Sequence, residues 1–233
     1  VHDRKVGRYD GHMIREGRYG VILETASDRE VSMRYARKPI KLMTTAGLLA
    51  LLLAGCSGQT RDWELKDISD VFPALDFRLQ QAPDGEIITE ETYSDQIQIL
   101  FFGFRNCPDI CPSTLAKLSA AVEQLGSDTD EVKVLFVSVD PNRDTLPKLD
   151  QYVSSFSPQI SGATASEERL RSLVKRYNVT FSYGDAYPDG EYVVTHSSAI
   201  IIFDRDGDAR LLGMSDVPVE AITKDLRALV ESG

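Results

Sequence analysis

Two nearly unbroken apolar runs, residues 97–104 and 132–139, stand out from the more polar chain around them. A strand that is apolar on both faces belongs to a sheet covered on both sides, so each run predicts a buried central strand. Between them, Leu115, Leu118, Val122 and Leu125 recur at helical spacing and stop at Gly126, which predicts a helix over 113–125. The alternation continues with a helix over 146–156, where Pro147 is tolerated in the first turn. A short strand over 159–163 follows, then an amphipathic helix over 167–177 with Ser166 as its cap. Strands are predicted over 192–195 and 197–203, and Arg205-Asp206-Gly207-Asp208 turns the chain into another over 209–213. A last helix covers 219–230. Upstream, 77–79 and 86–89 pair as a hairpin through Pro83-Asp84-Gly85.

Right-handed crossovers make the first central strands parallel neighbours, and the closing hairpin adds antiparallel strands. The expected fold is therefore α/β: a thioredoxin-like domain with a central mixed β-sheet flanked by helices and an N-terminal β-hairpin extension.

The first part of the chain does not fit this pattern. Arg34, Arg37, Lys38 and Lys41 precede an apolar run over 42–54 and then Gly55-Cys56. A basic region, a short apolar core and small residues describe an export signal, and the core is shorter than the roughly 20 residues of a spanning helix. Leu53-Ala54-Gly55-Cys56 resembles a bacterial lipobox, which makes Cys56 the expected lipidation site and mature N-terminus. Residues 1–32 are expected to be a mis-started extension, 33–55 the signal, 56–72 a tether and 73–233 the folded domain. The protein is expected to be exported and lipid-anchored to a bacterial membrane, facing the periplasm or outer surface.

Of 36 acidic and 26 basic residues, six and ten lie before Cys56, which leaves a net charge of −14 on the mature chain. That balance excludes nucleic acid as a partner, since phosphate binding needs a basic footprint. It also leaves one thiol pair, Cys107 and Cys111, and one histidine, His196. A four-residue separation closes too small a loop for a disulfide there to add much stability, so chemistry is the better explanation of the pair.

Both cysteines fall at a strand-to-helix corner, flanked by Pro108 and Pro112. A helix N-terminus is expected to lower the pKa of a thiol placed on it. A Cys-x-x-Cys would mark an ordinary thioredoxin redox motif; here three residues intervene. In a thioredoxin-like topology the loop holding His196 faces that corner and usually supplies a proline, yet no proline occurs between Pro188 and Pro218. Two thiolates and an imidazole form a soft donor set. Structural zinc wants four closed ligands and iron–sulfur clusters generally four cysteines, so copper, as Cu(I) or Cu(II), is the expected ion at Cys107, Cys111 and His196. Met214 is expected in the core or at its rim. Asp109 reads as a helix-start carboxylate, and Asp140, Pro141, Arg143 and Asp144 as a strand-ending turn with an Arg–Asp clamp.

Three ordered motifs carry a family resemblance. Gly103-Phe-Arg-Asn-Cys-Pro-Asp-Ile-Cys-Pro-Ser-Thr-Leu115, Ser138-Val-Asp-Pro-Asn-Arg-Asp-Thr145 and Thr195-His196-Ser197 resemble the SCO/SenC family over about 77–230. The resemblance implies a thioredoxin-like fold, copper held by two cysteines and a histidine, and assembly of the CuA centre of cytochrome c oxidase. The implied partner is the oxidase subunit bearing that centre, or another exported copper protein. Asn106 stands where many members have histidine, and Thr195 where an aspartate often precedes the ligand histidine; the second departure bears on how the imidazole is tuned. A thiol–disulfide oxidoreductase using Cys107 and Cys111 as its redox pair is the alternative, and it has no need of His196. A peroxidase reading is weaker, because Phe104 rather than threonine lies three residues before Cys107 and Arg105 alone is thin support.

Overall fold

The computed structural model describes residues 61–232. Its centre is three parallel strands, β4 (Ile97–Gly103), β5 (Val132–Ser138) and β6 (Ile160–Thr164), with β4 and β5 in register from Ile97 opposite Val132 to Gly103 opposite Ser138. Strand β9 (Ile200–Phe203) runs antiparallel against β4, and β10 (Ala209–Gly213) antiparallel against β9. The expected hairpin, β2 (Arg78–Gln81) with β3 (Glu86–Thr89), extends the other side by pairing β2 antiparallel to β6. With β1 (Lys66–Asp67), the sheet order is β1-β10-β9-β4-β5-β6-β2-β3.

Alternation along β4 and β5 explains why both runs are apolar almost throughout. Ile97, Ile99, Phe101, Val134 and Phe136 face one layer, formed by α1 (Ile110–Glu123), α2 (Leu146–Val153) and α4 (Val219–Val230). Leu100, Phe102, Leu135 and Val137 face the other, which includes α3 (Glu167–Arg176). Each large side chain so buried stabilises the fold by about 1.5–3 kcal/mol relative to exposure. Glu167 and Glu168 open α3, and Lys175 and Arg176 close it, signs that complement the helix dipole. Ser166 takes the cap position but its side chain makes no capping bond.

Three expectations change. The second half of the 56–72 tether is part of the domain: β1 pairs with β10, Leu65 and Ile68 are buried, and buried Asp225 on α4 accepts the amides of Glu64 and Leu65. Its few apolar residues are too sparse to read as a strand, and their anchor lies about 160 residues away. The first core helix begins at Ile110 rather than 113, because Pro112 fits within its first turn. The segment expected as strands 192–195 and 197–203 is divided differently. Its first part, β8 (Val194–His196), leaves the main sheet and pairs with the unforeseen β7 (Phe181–Tyr183). Cys56, the signal and the extension lie outside the described residues; among those described, no helix is long and apolar enough to cross a membrane.

Candidate metal centre

Strand β4 delivers the chain to Gly103, and the corner before α1 carries Cys107, whose amide bonds to the Phe104 carbonyl at 3.2 Å. Cys111 lies in the first turn of α1 with its N–H directed at Cys107 Sγ, 3.4 Å away. His196 ends β8 and brings Nε2 to 3.3 Å from Cys111 Sγ. The two sulfurs and an imidazole nitrogen all lie within 4.8 Å of one another. Both thiols are free; Cys111 is fully buried, whereas Cys107 and His196 are partly exposed.

The backbone makes room for this approach at one residue. A Cβ on Gly103 would stand 2.7 Å from Cys111 Sγ and 2.6 Å from the Phe136 ring. Gly103 opens the quoted motif, but its spatial partners were not readable from the motif.

The imidazole is held from its far side. Nδ1 is 3.0 Å from the Ser197 carbonyl, which can only accept, so Nδ1 carries the proton and the Nε2 lone pair faces Cys111. The Phe104 ring stands edge-on to the imidazole at 5.7 Å, and Phe101 lies beyond at 6.5 Å. Thr195, on the opposite side of the strand by alternation, shares a hydrogen bond with Ser182 at 2.6 Å. A main-chain carbonyl therefore orients the imidazole in this chain.

Burial dominates the electrostatics. It pushes the Cys111 thiol well up, against a lowering from the Phe104 backbone hydrogen bond, and the neighbouring Cys107 and Asp144 charges push the same way as burial. That corrects the expectation of an activated thiol at 111, which follows from position along the helix but not from depth. Burial also lowers the His196 pKa, favouring the neutral imidazole a metal requires.

The turn after β5 supports both loops without joining the donor cluster. Asp140 accepts from Arg143 Nε at 2.6 Å and from the Tyr192 hydroxyl, which bears out the Arg–Asp clamp. Asp144 accepts the Arg105 amide at 2.9 Å, a contact to the cysteine corner that the sequence did not reveal. Asp109 occupies the N-cap position of α1 but its side chain makes no capping bond. Met214, at 44% exposure just after β10, is at the rim rather than in the core.

A thioredoxin-like sheet with two free thiols and a neutral imidazole converging at a strand-to-helix corner defines a class: α/β domains built for soft-metal or thiol chemistry. Within that class the chain belongs to the SCO1/SenC family, whose model matches residues 73–231. It is 40% identical over 127 residues to the mitochondrial protein SCO2 of Saccharomyces cerevisiae, covering 53% of this chain and 42% of that protein. A SCO2-like protein of Rickettsia conorii is 31% identical over 176 residues, covering 72% of this chain and 83% of the relative. The chain thus spans about half or less of the length of the mitochondrial relatives but most of the rickettsial one. Among solved structures, Arabidopsis thaliana ScoI with copper bound matches at 30% identity and a TM-score of 0.63, over 69% of this chain and 99% of that one.

Proposed function

We propose that this protein is a copper-binding assembly factor that receives copper at Cys107, Cys111 and His196. It passes the ion by ligand exchange to an exported copper protein, most directly the cytochrome c oxidase subunit bearing the CuA centre. The observation that carries this is the convergence, within 4.8 Å, of two free thiols and the sole histidine among the described residues. The solved relative from Arabidopsis has copper bound, and soft sulfur donors with imidazole select such an ion. Cys107, the more exposed sulfur, is the natural first contact for an incoming ligand, with Cys111 and its apolar surroundings holding the ion until transfer. Lipidation at Cys56 would keep the domain at the membrane where an oxidase is assembled.

The test is titration of the reduced chain with Cu(I) against a competing chelator. One equivalent should bind in the wild type, and His196→Ala, Cys107→Ser and Cys111→Ser should each weaken binding. Failure of the wild type to take up copper, or unchanged affinity in His196→Ala, would refute the proposal.

A second reading rests on the partly exposed Cys107 sulfur, which accepts the Cys111 N–H and is the more accessible nucleophile of the pair. Cys107 would attack a partner disulfide, releasing one partner thiolate. Cys111 would then displace the other, leaving an intrachain disulfide and a reduced partner. Cys111→Ser should trap the mixed disulfide. Retained thiol exchange in His196→Ala alongside lost function in the cell would favour the copper role.

A further inference from the structure

The two halves of the donor set come from different parts of the fold. Cys107 and Cys111 belong to the β4–α1 corner, whereas His196 ends a two-stranded hairpin outside the main sheet. One short turn, between β5 and α2, reaches both. Asp144, fully buried, accepts the Arg105 amide at 2.9 Å and the Ser138 hydroxyl at 2.6 Å through Oδ2. Arg105 is two residues before Cys107, and Ser138 sits opposite Gly103 in the sheet. Asp144 therefore fixes the start of the cysteine corner to the end of β5.

Asp140, equally buried, faces the other way. It accepts from Arg143 Nε and the Tyr192 hydroxyl. Arg143 in turn donates to the Tyr192 carbonyl at 3.0 Å and to Glu191 at 2.9 Å, with its guanidinium 3.9 Å over the Tyr192 ring. The Tyr183 hydroxyl on β7 adds a bond to the Val139 carbonyl at 2.6 Å. These contacts hold the segment that leads into β8 and His196.

We infer that Asp144 and Asp140 are positioning residues with separate tasks: Asp144 sets the thiol half of the centre, and Asp140 with Arg143 sets the imidazole half. Neither touches the donors. The inference builds on the proposed role of Cys107, Cys111 and His196, and it predicts that the two halves can be loosened independently.

Two reporters in the metal-free, reduced full chain test this without copper. Nitrogen NMR of histidine reads the tautomer of His196, with His196→Ala for assignment. Alkylation read by peptide mass follows Cys107 and Cys111 apart from Cys56. Arg143→Ala should move His196 from a single Nδ1–H tautomer to an averaged one and leave alkylation of both thiols unchanged. Asp144→Ala should speed alkylation of the pair about tenfold, the effect of losing a charge-assisted hydrogen bond, and leave the imidazole signal in place. Asp144→Asn, which keeps an acceptor for the Arg105 amide, should restore most of the protection. If either alanine variant fails to fold, Tyr192→Phe deletes one hydroxyl from the imidazole-side contacts and Ser138→Ala one from the thiol-side contacts, and each should give a smaller change in its own reporter. The Ser138 hydroxyl also accepts the Asp140 amide at 3.1 Å, a main-chain bond whose loss leaves the Asp140 carboxylate on Arg143 and Tyr192. Movement of both reporters together in each variant, or of neither, overturns the inference. A wild type that ignores copper while the reporters divide as stated would instead refute the proposed function alone.

Discussion

Replacing Gly103 by alanine tests the packing on which the centre rests. The added Cβ would meet Cys111 Sγ at 2.7 Å and Phe136 Cε2 at 2.6 Å, whereas carbon atoms pack best about 3.5–4.0 Å apart. Neither neighbour has free space: Phe136 and Cys111 are both fully buried, and the Phe136 ring lies against Phe101 at 5.8 Å and Tyr152 at 5.7 Å. Overpacking of this kind costs about 1–3 kcal/mol, offset in part by the ~0.4–1 kcal/mol that alanine contributes by restricting the unfolded chain. A net loss of about 1–2 kcal/mol lowers the melting temperature by about 2–8 °C in a domain of this size. Relief must come from movement of Cys111 or of the Phe136 ring, so Cu(I) affinity should fall with stability. Circular dichroism melting and chelator competition measure the two effects. Gly184→Ala is the control, since its Cβ meets Val193 at an ordinary 3.6 Å, and it should melt close to the wild type. Wild-type melting and copper affinity in Gly103→Ala would refute the reasoning.

Three further outcomes are expected. Because burial raises the Cys111 pKa, its thiol is protonated near neutrality and copper must displace that proton; apparent affinity should rise about tenfold or more per pH unit between roughly pH 6 and 8, and a flat profile would contradict this. The lowered His196 pKa means that the unfolded chain takes up a proton below about pH 6.5 which the folded one resists; metal-free stability should therefore fall as pH drops through that value, by a smaller slope in His196→Gln in urea titrations. Asp225→Ala leaves the amides of Glu64 and Leu65 without their buried acceptor and should cost about 2–4 kcal/mol, with earlier proteolysis of residues 61–68.

What could be read along the chain was what depends on local period and on counting. The runs that became β4 and β5 are apolar at nearly every turn of the pleat because both faces of the sheet are covered, and Leu115, Leu118 and Val122 mark the buried stripe of α1. His196 emerged by elimination of other donors. What stayed hidden depends on distant partners. Strand β7 has only three residues and exists through its pairing with β8. The grip of Asp140 and Arg143 on Tyr192 spans about 50 positions. The Cys111 thiol illustrates the limit most sharply, since proximity to a helix N-terminus can be read from spacing, but the opposing desolvation depends on Leu115, Phe136 and the rest of that layer closing over it.

Thr195 shows how a motif departure is absorbed by geometry. An aspartate would be expected to raise the basicity of a neighbouring ligand imidazole, and its absence suggested altered tuning. Strand alternation, however, directs residue 195 toward Ser182, away from the face carrying His196. The proton on Nδ1 is held by the Ser197 carbonyl instead. A carbonyl fixes the tautomer without adding a negative charge, so it orients Nε2 toward Cys111 while burial still keeps the imidazole neutral. Orientation and basicity, which a carboxylate would supply together, are thereby separated, and the orienting group is one that no side-chain substitution at 197 removes.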